Sequence, residues 1–183
     1  MEQLITAGSL LLSDPFLKDP NFMRTAVLVC EHDKNGSFGF VVNKLSEYTL
    51  GSLVPAVENS TFPIYIGGPV QTDTLHFIHS LPKEIGGFEV EKGLFWGGNF
   101  EVVLNLIQQE LIFENDIKFF LGYSGWGSKQ LDEEITEKSW IVSTANKRLI
   151  LETTADNIWK NALKNMDGEY ALMTNYPLDP QLN

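Results

Sequence analysis

A mixed α+β domain is the fold class this sequence predicts, and three observations predict it. Short β-rich runs dominate the first third, amphipathic stretches at helical spacing follow from Asn99 onward, and strands and helices alternate irregularly. That irregularity argues against a doubly wound parallel sheet. With 183 residues, 43% of them hydrophobic, the chain reads as one domain over 1–183, able to bury roughly 70% of its unfolded surface. Twelve Phe, four Trp and five Tyr give it large apolar groups to bury, which excludes a disordered chain. It shows no internal repeat, low-complexity tract or dividing linker.

Gly8–Leu12 opens as strand and runs into two Asp-Pro breakers, Asp14-Pro15 and Asp19-Pro20. Thr25–Glu31 and Ser37–Asn43 enclose Asp33-Lys34-Asn35-Gly36. Asn-Gly accepts positive φ at both turn positions, so the two runs predict a hairpin. With Asn35-Gly36 as the two-residue loop, His32 faces Gly39, Cys30 faces Val41 and Leu28 faces Asn43. Val27, Val29 and Glu31 then oppose Phe40 and Val42 on the other side. Thr49–Val57 reads as a short helical stretch interrupted by Pro55, and Pro63–Ile66 as a strand ending at Gly67-Gly68-Pro69. Thr74–Ser80 and Gly93–Trp96 are further strands. Asn99 caps a helix with Phe100, Val103, Leu104, Ile107 and Leu111 at helical spacing. Ile117–Tyr123 is an apolar strand followed by the turn-like Ser124-Gly125-Trp126-Gly127, after which Ser128 is expected to cap a helix turning Leu131 and Ile135 inward. Trp140–Ser143 and Arg148–Leu151 read as strands around Ala145-Asn146. A last helix opens at Thr154, carries Ile158, Trp159, Ala162, Leu163 and Met166, and closes at Gly168, before a polar tail over 178–183.

A net charge of −11, from 24 acidic and 13 basic residues, narrows the partners. Nucleic-acid binding needs a basic face to displace counterions from phosphates, and the scattered Lys and Arg supply none, so direct DNA binding is not expected. The single Cys30 cannot form an internal disulfide. The acidic start, whose longest apolar run is Leu10–Leu12, lacks the pattern of a signal peptide. No run approaches the ~20 apolar residues of a membrane span. A cytoplasmic protein without membrane attachment is expected.

The chemistry-bearing residues form no complete catalytic set. Ser124 follows a strand and precedes a helix, but a nucleophile elbow needs glycine where Trp126 stands. Cys30 and His32 share a strand face, yet i and i+2 side chains stand roughly 7 Å apart and no third group orients them. His76 and His79, three apart on a strand, point to opposite faces. Zinc needs three or four convergent ligands, which one Cys and three His do not offer. Glu133, Glu134 and Glu137 share a helical face, but no Ca²⁺ loop accompanies them. Acidic residues at 132–134 also suit a helix N-terminus. The Gly67-Gly68-Pro69 turn lacks a following Lys-Ser/Thr. Gly122, Gly125 and Gly127 miss the dinucleotide spacing, and an anion at the helix that follows would meet Asp132–Glu134.

Several of these segments carry a family resemblance. Gly8-Ser-Leu-Leu-Leu-Ser-Asp-Pro-Phe16, Phe22-Met-Arg-Thr25, Glu31-His32, Gly39-Phe-Val-Val-Asn43 and Gly67-Gly68-Pro69 resemble the bacterial YqgE/AlgH family. So, above all, do Phe120-Leu-Gly-Tyr-Ser-Gly-Trp-Gly127, Gln130-Leu-Asp-Glu-Glu134 and Trp140, with the Trp159 helix and Leu182-Asn183. The chain departs from the pattern at Ser124, where alanine is usual, and at Lys44-Leu45, where Arg-Pro is common. The resemblance implies one compact α+β fold with a bifurcated mixed sheet, partly closed into a small barrel, and helices packed outside. It implies no activity, although some members carry a transcriptional-regulator label.

The reading that follows is a cytoplasmic, non-enzymatic regulatory or ligand-binding protein, acting indirectly on gene expression or physiology through an unknown protein or small-molecule partner. No cofactor and no metal are implied. Its expected recognition surface joins Glu31, His32, Asn43, Tyr123, Trp126, Gln130 and Glu134, since aromatic and amide groups suit a peptide or small molecule. Architecture is the competing account: the glycines make turns, Trp126 fills core and Gln130 satisfies backbone. An enzyme using His32 as acid/base with Glu31 or Glu134 is the alternative function.

Overall fold

Leu10, Leu11 and Leu12 are all fully buried, which places the first strand, β1 (Ser9–Ser13), between two layers. Leu10 and Leu12 enter one apolar cluster and Leu11 another, as alternation along a strand requires. The computed structural model describes residues 4–166 and 168–177; the polar tail expected over 178–183 lies outside them. β1 pairs antiparallel with β2 (Ala26–Asp33) on one side and β10 (Trp140–Thr144) on the other. β2 turns into β3 (Gly36–Val41), and β3 pairs with the far half of β9 (Ile117–Gly127).

The long strand β9 is where the sheet forks. Residues 124–127 pair with β3, whereas residues 119–121 pair in parallel with β5 (Pro63–Ile66) along the same edge. β5 in turn carries β4 (Leu45–Thr49). The opposite edge of β9 pairs with β6 (Val70–His79), followed by β8 (Leu94–Trp96) and β7 (Phe88–Glu91). The Gly67-Gly68-Pro69 turn fills the crotch of the fork. Gly67 N donates to Leu121 O at 2.8 Å, and Gly67 O accepts Val41 N at 2.8 Å and Ser124 Oγ at 3.0 Å. A Cβ on Gly67 would lie 2.4 Å from Gly122 O, so this close approach requires glycine. The sheet is mixed and antiparallel everywhere except β5–β9, and it curls into a half-barrel that brings Val90 of β7 into the same cluster as Leu10 and Leu28.

Helices cover the remaining apolar faces. α1 (Leu50–Leu53) starts at a Thr49–Ser52 capping box, and a 3₁₀ turn follows at Pro55–Val57. α2 (Pro82–Ile85) precedes β7. α3 (Phe100–Gln108) is capped by Asn99 as predicted and packs Val103 and Leu104 over Ile64, Phe77 and Phe119. Leu111 lies beyond its end and is exposed. α4 (Gln130–Thr136) buries Leu131 against the Val27, Val29 and Val41 face, with Ile135 at the edge. α5 (Ala155–Lys164) lays Ile158, Trp159, Ala162 and Leu163 on the Leu10 cluster, and Trp159 Nε1 donates to Ser13 O at 3.1 Å. Burying each leucine- or isoleucine-sized side chain among these is worth about 1.5–3 kcal/mol.

Six local expectations are corrected. The hairpin loop is Lys34-Asn35, because Asp33 Oδ1 accepts Asn35 N at 2.7 Å and Gly36 is needed elsewhere. At φ 144°, Gly36 sits so close to β9 that a Cβ would lie 2.3 Å from Trp126 O. A bulge at Cys30 shifts the register further, so His32 faces Ser37 and Gly39 faces Val29. Ser124–Gly127 continues β9 because β3 supplies its ladder partners. Ser128 caps no helix: its hydroxyl donates to Lys34 O at 2.9 Å, and Lys129 holds the N-cap position at φ 64°. Arg148–Glu152 forms a π-helical turn with Leu149, Ile150 and Leu151 all buried, a pattern that a buried strand would share in sequence. Finally, α5 ends at Lys164, short of Gly168, and a further short helix, α6 (Tyr170–Met173), follows.

Candidate functional site

The bulge in β2 decides which side chains reach the main groove of the molecule. It turns Glu31 and Asp33 to the face occupied by Phe38 of β3, and alternation turns His32 away. His32 Nδ1 is hydrogen-bonded to Ser37 Oγ at 2.7 Å. The groove has a volume of about 580 Å³, within the range of small-molecule sites. Its walls come from β3, β6, β8 and β9 through Phe38, His76, Trp96 and Tyr123. Phe38 meets Trp96 edge-on at 4.8 Å and Tyr123 at 6.2 Å, and His76 meets Tyr123 at 6.1 Å. Glu31 and Asp33 are exposed at the hairpin side, and none of the lining residues is Lys or Arg.

His76 packs on Phe40 at 5.1 Å, and its Nε2 is buried without a hydrogen-bond partner. Burial lowers its pKa from the usual histidine value. His79, on the opposite side of the strand, is a satisfied core histidine. Leu81 N donates to its Nδ1 at 3.1 Å, which leaves Nε2–H to donate to Gly97 O at 2.8 Å. Among the described residues, no three His, Cys, Asp or Glu side chains converge to hold a metal ion.

Trp126, Gln130 and Glu134 form a separate unit beside the groove. Glu134 Oε2 accepts both indole N–H groups, Trp126 Nε1 at 2.9 Å and Trp140 Nε1 at 2.8 Å. Glu134 Oε1 accepts Gln130 Nε2 at 3.0 Å, and Gln130 Oε1 accepts Gly127 N at 3.0 Å. One carboxylate thereby ties the end of β9 to α4 and β10, with the two indoles edge-to-face at 6.1 Å. A second cavity of about 330 Å³ lies over this knot. Asn43 stands apart from both. Its Oδ1 accepts Ala26 N at 2.9 Å and its Nδ2 donates to Arg24 O at 3.0 Å, pinning the end of β3 to the start of β2.

Of the seven residues expected to form one surface, Glu31, Tyr123 and Trp126 line the main groove. Gln130 and Glu134 line the second cavity with Trp126, while Asn43 and His32 belong to local hydrogen bonds. Sequence reasoning missed Phe38, Trp96 and the role of His76. Alternation along β3 puts Phe38 on the face of Phe40, but only the pairing of β6 and β8 beside β9 brings His76 and Trp96 to them.

Two groups outside the groove carry unusual electrostatics. Lys118 is 5% exposed on β9; its Nζ donates to Val42 O at 3.0 Å and lies 4.3 Å from the centre of the Tyr65 ring. Burial pushes its amine down to about 7. Burial, and secondarily the charge of Glu31, pushes the Cys30 thiol far up, so it is no ready thiolate. Ser124 is fully buried and its hydroxyl is spent on Gly67 O. No helix among the described residues is long and apolar enough to cross a membrane.

Comparison with known proteins places these features in context. The profile of a family described as AlgH-like matches residues 10–171. A UPF0301 protein of Cytophaga hutchinsonii is 39% identical over 184 residues, covering 98% of this chain and 100% of the relative. A UPF0301 protein of Chlorobium limicola is 41% identical over 177 residues, covering 96% and 95%. Among solved structures, the crystal structure of protein DIP2367 from Corynebacterium diphtheriae matches with a TM-score of 0.80 at 16% identity, covering 96% of this chain and 95% of that one. The solution structure of the AlgH protein from Pseudomonas aeruginosa matches with a TM-score of 0.72 at 24% identity, covering 97% and 98%. At these identities the two structures show a shared fold.

Proposed function

The chain belongs to the AlgH-like family, and from that premise we propose that it is a cytoplasmic, non-enzymatic binding protein whose recognition site is the groove between β3, β6, β8 and β9. The observation that carries this reading is the groove itself: about 580 Å³ of open space walled by Phe38, His76, Trp96 and Tyr123 and edged by Glu31 and Asp33. Aromatic walls with a few polar groups at the rim are the composition of ligand pockets. Occupancy changes the surroundings of the Lys34-Asn35 hairpin tip, to which Ser128, ahead of α4, is already bonded. A regulatory output then passes through a partner that reads this side of the molecule, and not through direct contact with DNA, which the acidic surface disfavours.

The test is an NMR titration of isotope-labelled protein with a library of small metabolites and short peptides. Amide shifts confined to residues 31–38, 76, 96 and 123, and lost in Tyr123→Ala, are the expected result. A library whose binders all act elsewhere overturns the groove as the site.

A further inference from the structure

The charges around the groove distinguish among possible occupants. Two carboxylates, Glu31 and Asp33, stand exposed at one side of it, and among the described residues no Lys or Arg lines it. Among the described residues, the hydrogen bonds that reach the Asp33 carboxylate come from Asn35, its neighbour in the turn. Neither carboxylate is spent in the way Glu134 is, with three donors on its two oxygens. The one titratable base in the groove, His76, is kept uncharged by burial, so it cancels none of this negative potential at neutral pH.

The walls favour the same sign. Phe38 meets both Trp96 and Tyr123 edge-on, at 64° and 79°. Rings set edge-on expose faces as well as edges, and an aromatic face carries the negative part of the ring quadrupole, which attracts a cation within about 6 Å. The orphaned Nε2 of His76 adds a third observation: a buried polar atom of a groove-lining residue without a partner, which an N–H of the ligand would satisfy in the tautomer that carries its proton on Nδ1.

Resting on the reading of the groove as a binding site, we infer that its occupant is a small organic cation: an ammonium or guanidinium group held between the faces of Phe38, Trp96 and Tyr123 and the carboxylates of Glu31 and Asp33. The aromatic walls take the apolar body that bears the cation. The volume of about 580 Å³ suits a free small molecule better than a folded element of a partner. An anionic metabolite is repelled by the rim and by the net charge of −11.

Three probes with one apolar body and three charges test this. 2-Phenylethylamine, 2-phenylethanol and 3-phenylpropanoate are titrated into labelled protein at low and at moderate salt. The amine is expected to bind at least about tenfold more tightly than the alcohol, to weaken as salt screens the rim, and to shift resonances of the groove. The carboxylate is expected not to bind. Glu31→Gln with Asp33→Asn keeps the turn acceptor on Asp33 and should cost the amine about tenfold while leaving the alcohol unchanged. Trp96→Leu should weaken the amine and Trp96→Phe restore part of the loss. N-acetylargininamide set against 1-propylguanidine, which carries the same cation without the peptide groups, separates the sources: tighter binding of the peptide-like probe would put the cation on a partner protein and overturn the free small molecule. Equal binding of the alcohol, preference for the carboxylate, or no binding of the amine overturns the cationic occupant. The groove as a site falls only by the separate library result.

Discussion

Replacing Lys118 by methionine should make the stability of this protein depend less on pH, and the structure sets the size of the effect. The amine is buried against Tyr65 with Val42 O as its acceptor, and burial pushes it from 10.5 down to about 7. Below pH 7 both folded and unfolded chains carry the charge, and the full cost of burying it is present. Between about 7 and 10.5 the folded chain releases the proton while the unfolded chain keeps it. The unfolded state then binds more protons, so stability rises with pH through this window. At about 1.4 kcal/mol per pH unit, the whole difference is about 5 kcal/mol. Lys118→Met also loses the hydrogen bond to Val42 O, at about 1–3 kcal/mol; the neutral amine donates more weakly than the ammonium, and that difference is already contained in the shift to about 7. Urea unfolding followed by tryptophan fluorescence, at about pH 7.5 and about pH 9.5, isolates the amine. The parent protein should gain roughly 2–3 kcal/mol over the variant between those two conditions. A difference that stays constant across them would refute a lysine buried without a countercharge.

Cys30 should act with the opposite sign. Its thiol is held far above the ordinary 9.0, so above about pH 9 the unfolded chain loses a proton that the folded chain retains, and stability falls by about 1.4 kcal/mol per unit; Cys30→Ala should remove that fall in the same urea series. Glu134→Gln leaves one oxygen for the two indoles of Trp126 and Trp140 and should cost about 1–3 kcal/mol, with an altered tryptophan emission spectrum. Ser124→Ala deletes the bond to Gly67 O, which keeps Val41 N as a donor, so a loss of about 0.5–1.5 kcal/mol in denaturant midpoint is expected, with probe binding in the groove unchanged.

Glu31 and His32 show why the site was only half legible. Both were visible as motif residues, yet their directions hang on a one-residue bulge at Cys30, and a shift of one residue exchanges the faces of everything beyond it. Nothing local announces that bulge. Gln130 and Glu134 stood out through the family motif, but the Glu134 carboxylate that accepts from Gln130, Trp126 and Trp140 unites the end of β9, the first turns of α4 and the start of β10, which only packing brings together. The π-helical turn at Arg148–Glu152 was read as a strand because complete burial erases the periodicity that separates the two.

By itself the sequence determined the α+β class, the capped α3, the stripe of α5, the β5 strand ending at Gly67-Gly68-Pro69, and membership of the family. These follow from side-chain periodicity, capping chemistry and motif, all of which act over a few residues. The tertiary structure alone decided that β9 forks between β3 and β5, that the Lys34-Asn35 loop spares Gly36 for contact with Trp126, and that His76 and Trp96 meet Phe38 and Tyr123 in one groove. Each of those rests on strands distant in sequence, whose register is fixed by which faces the whole sheet buries and not by any preference of the residues themselves.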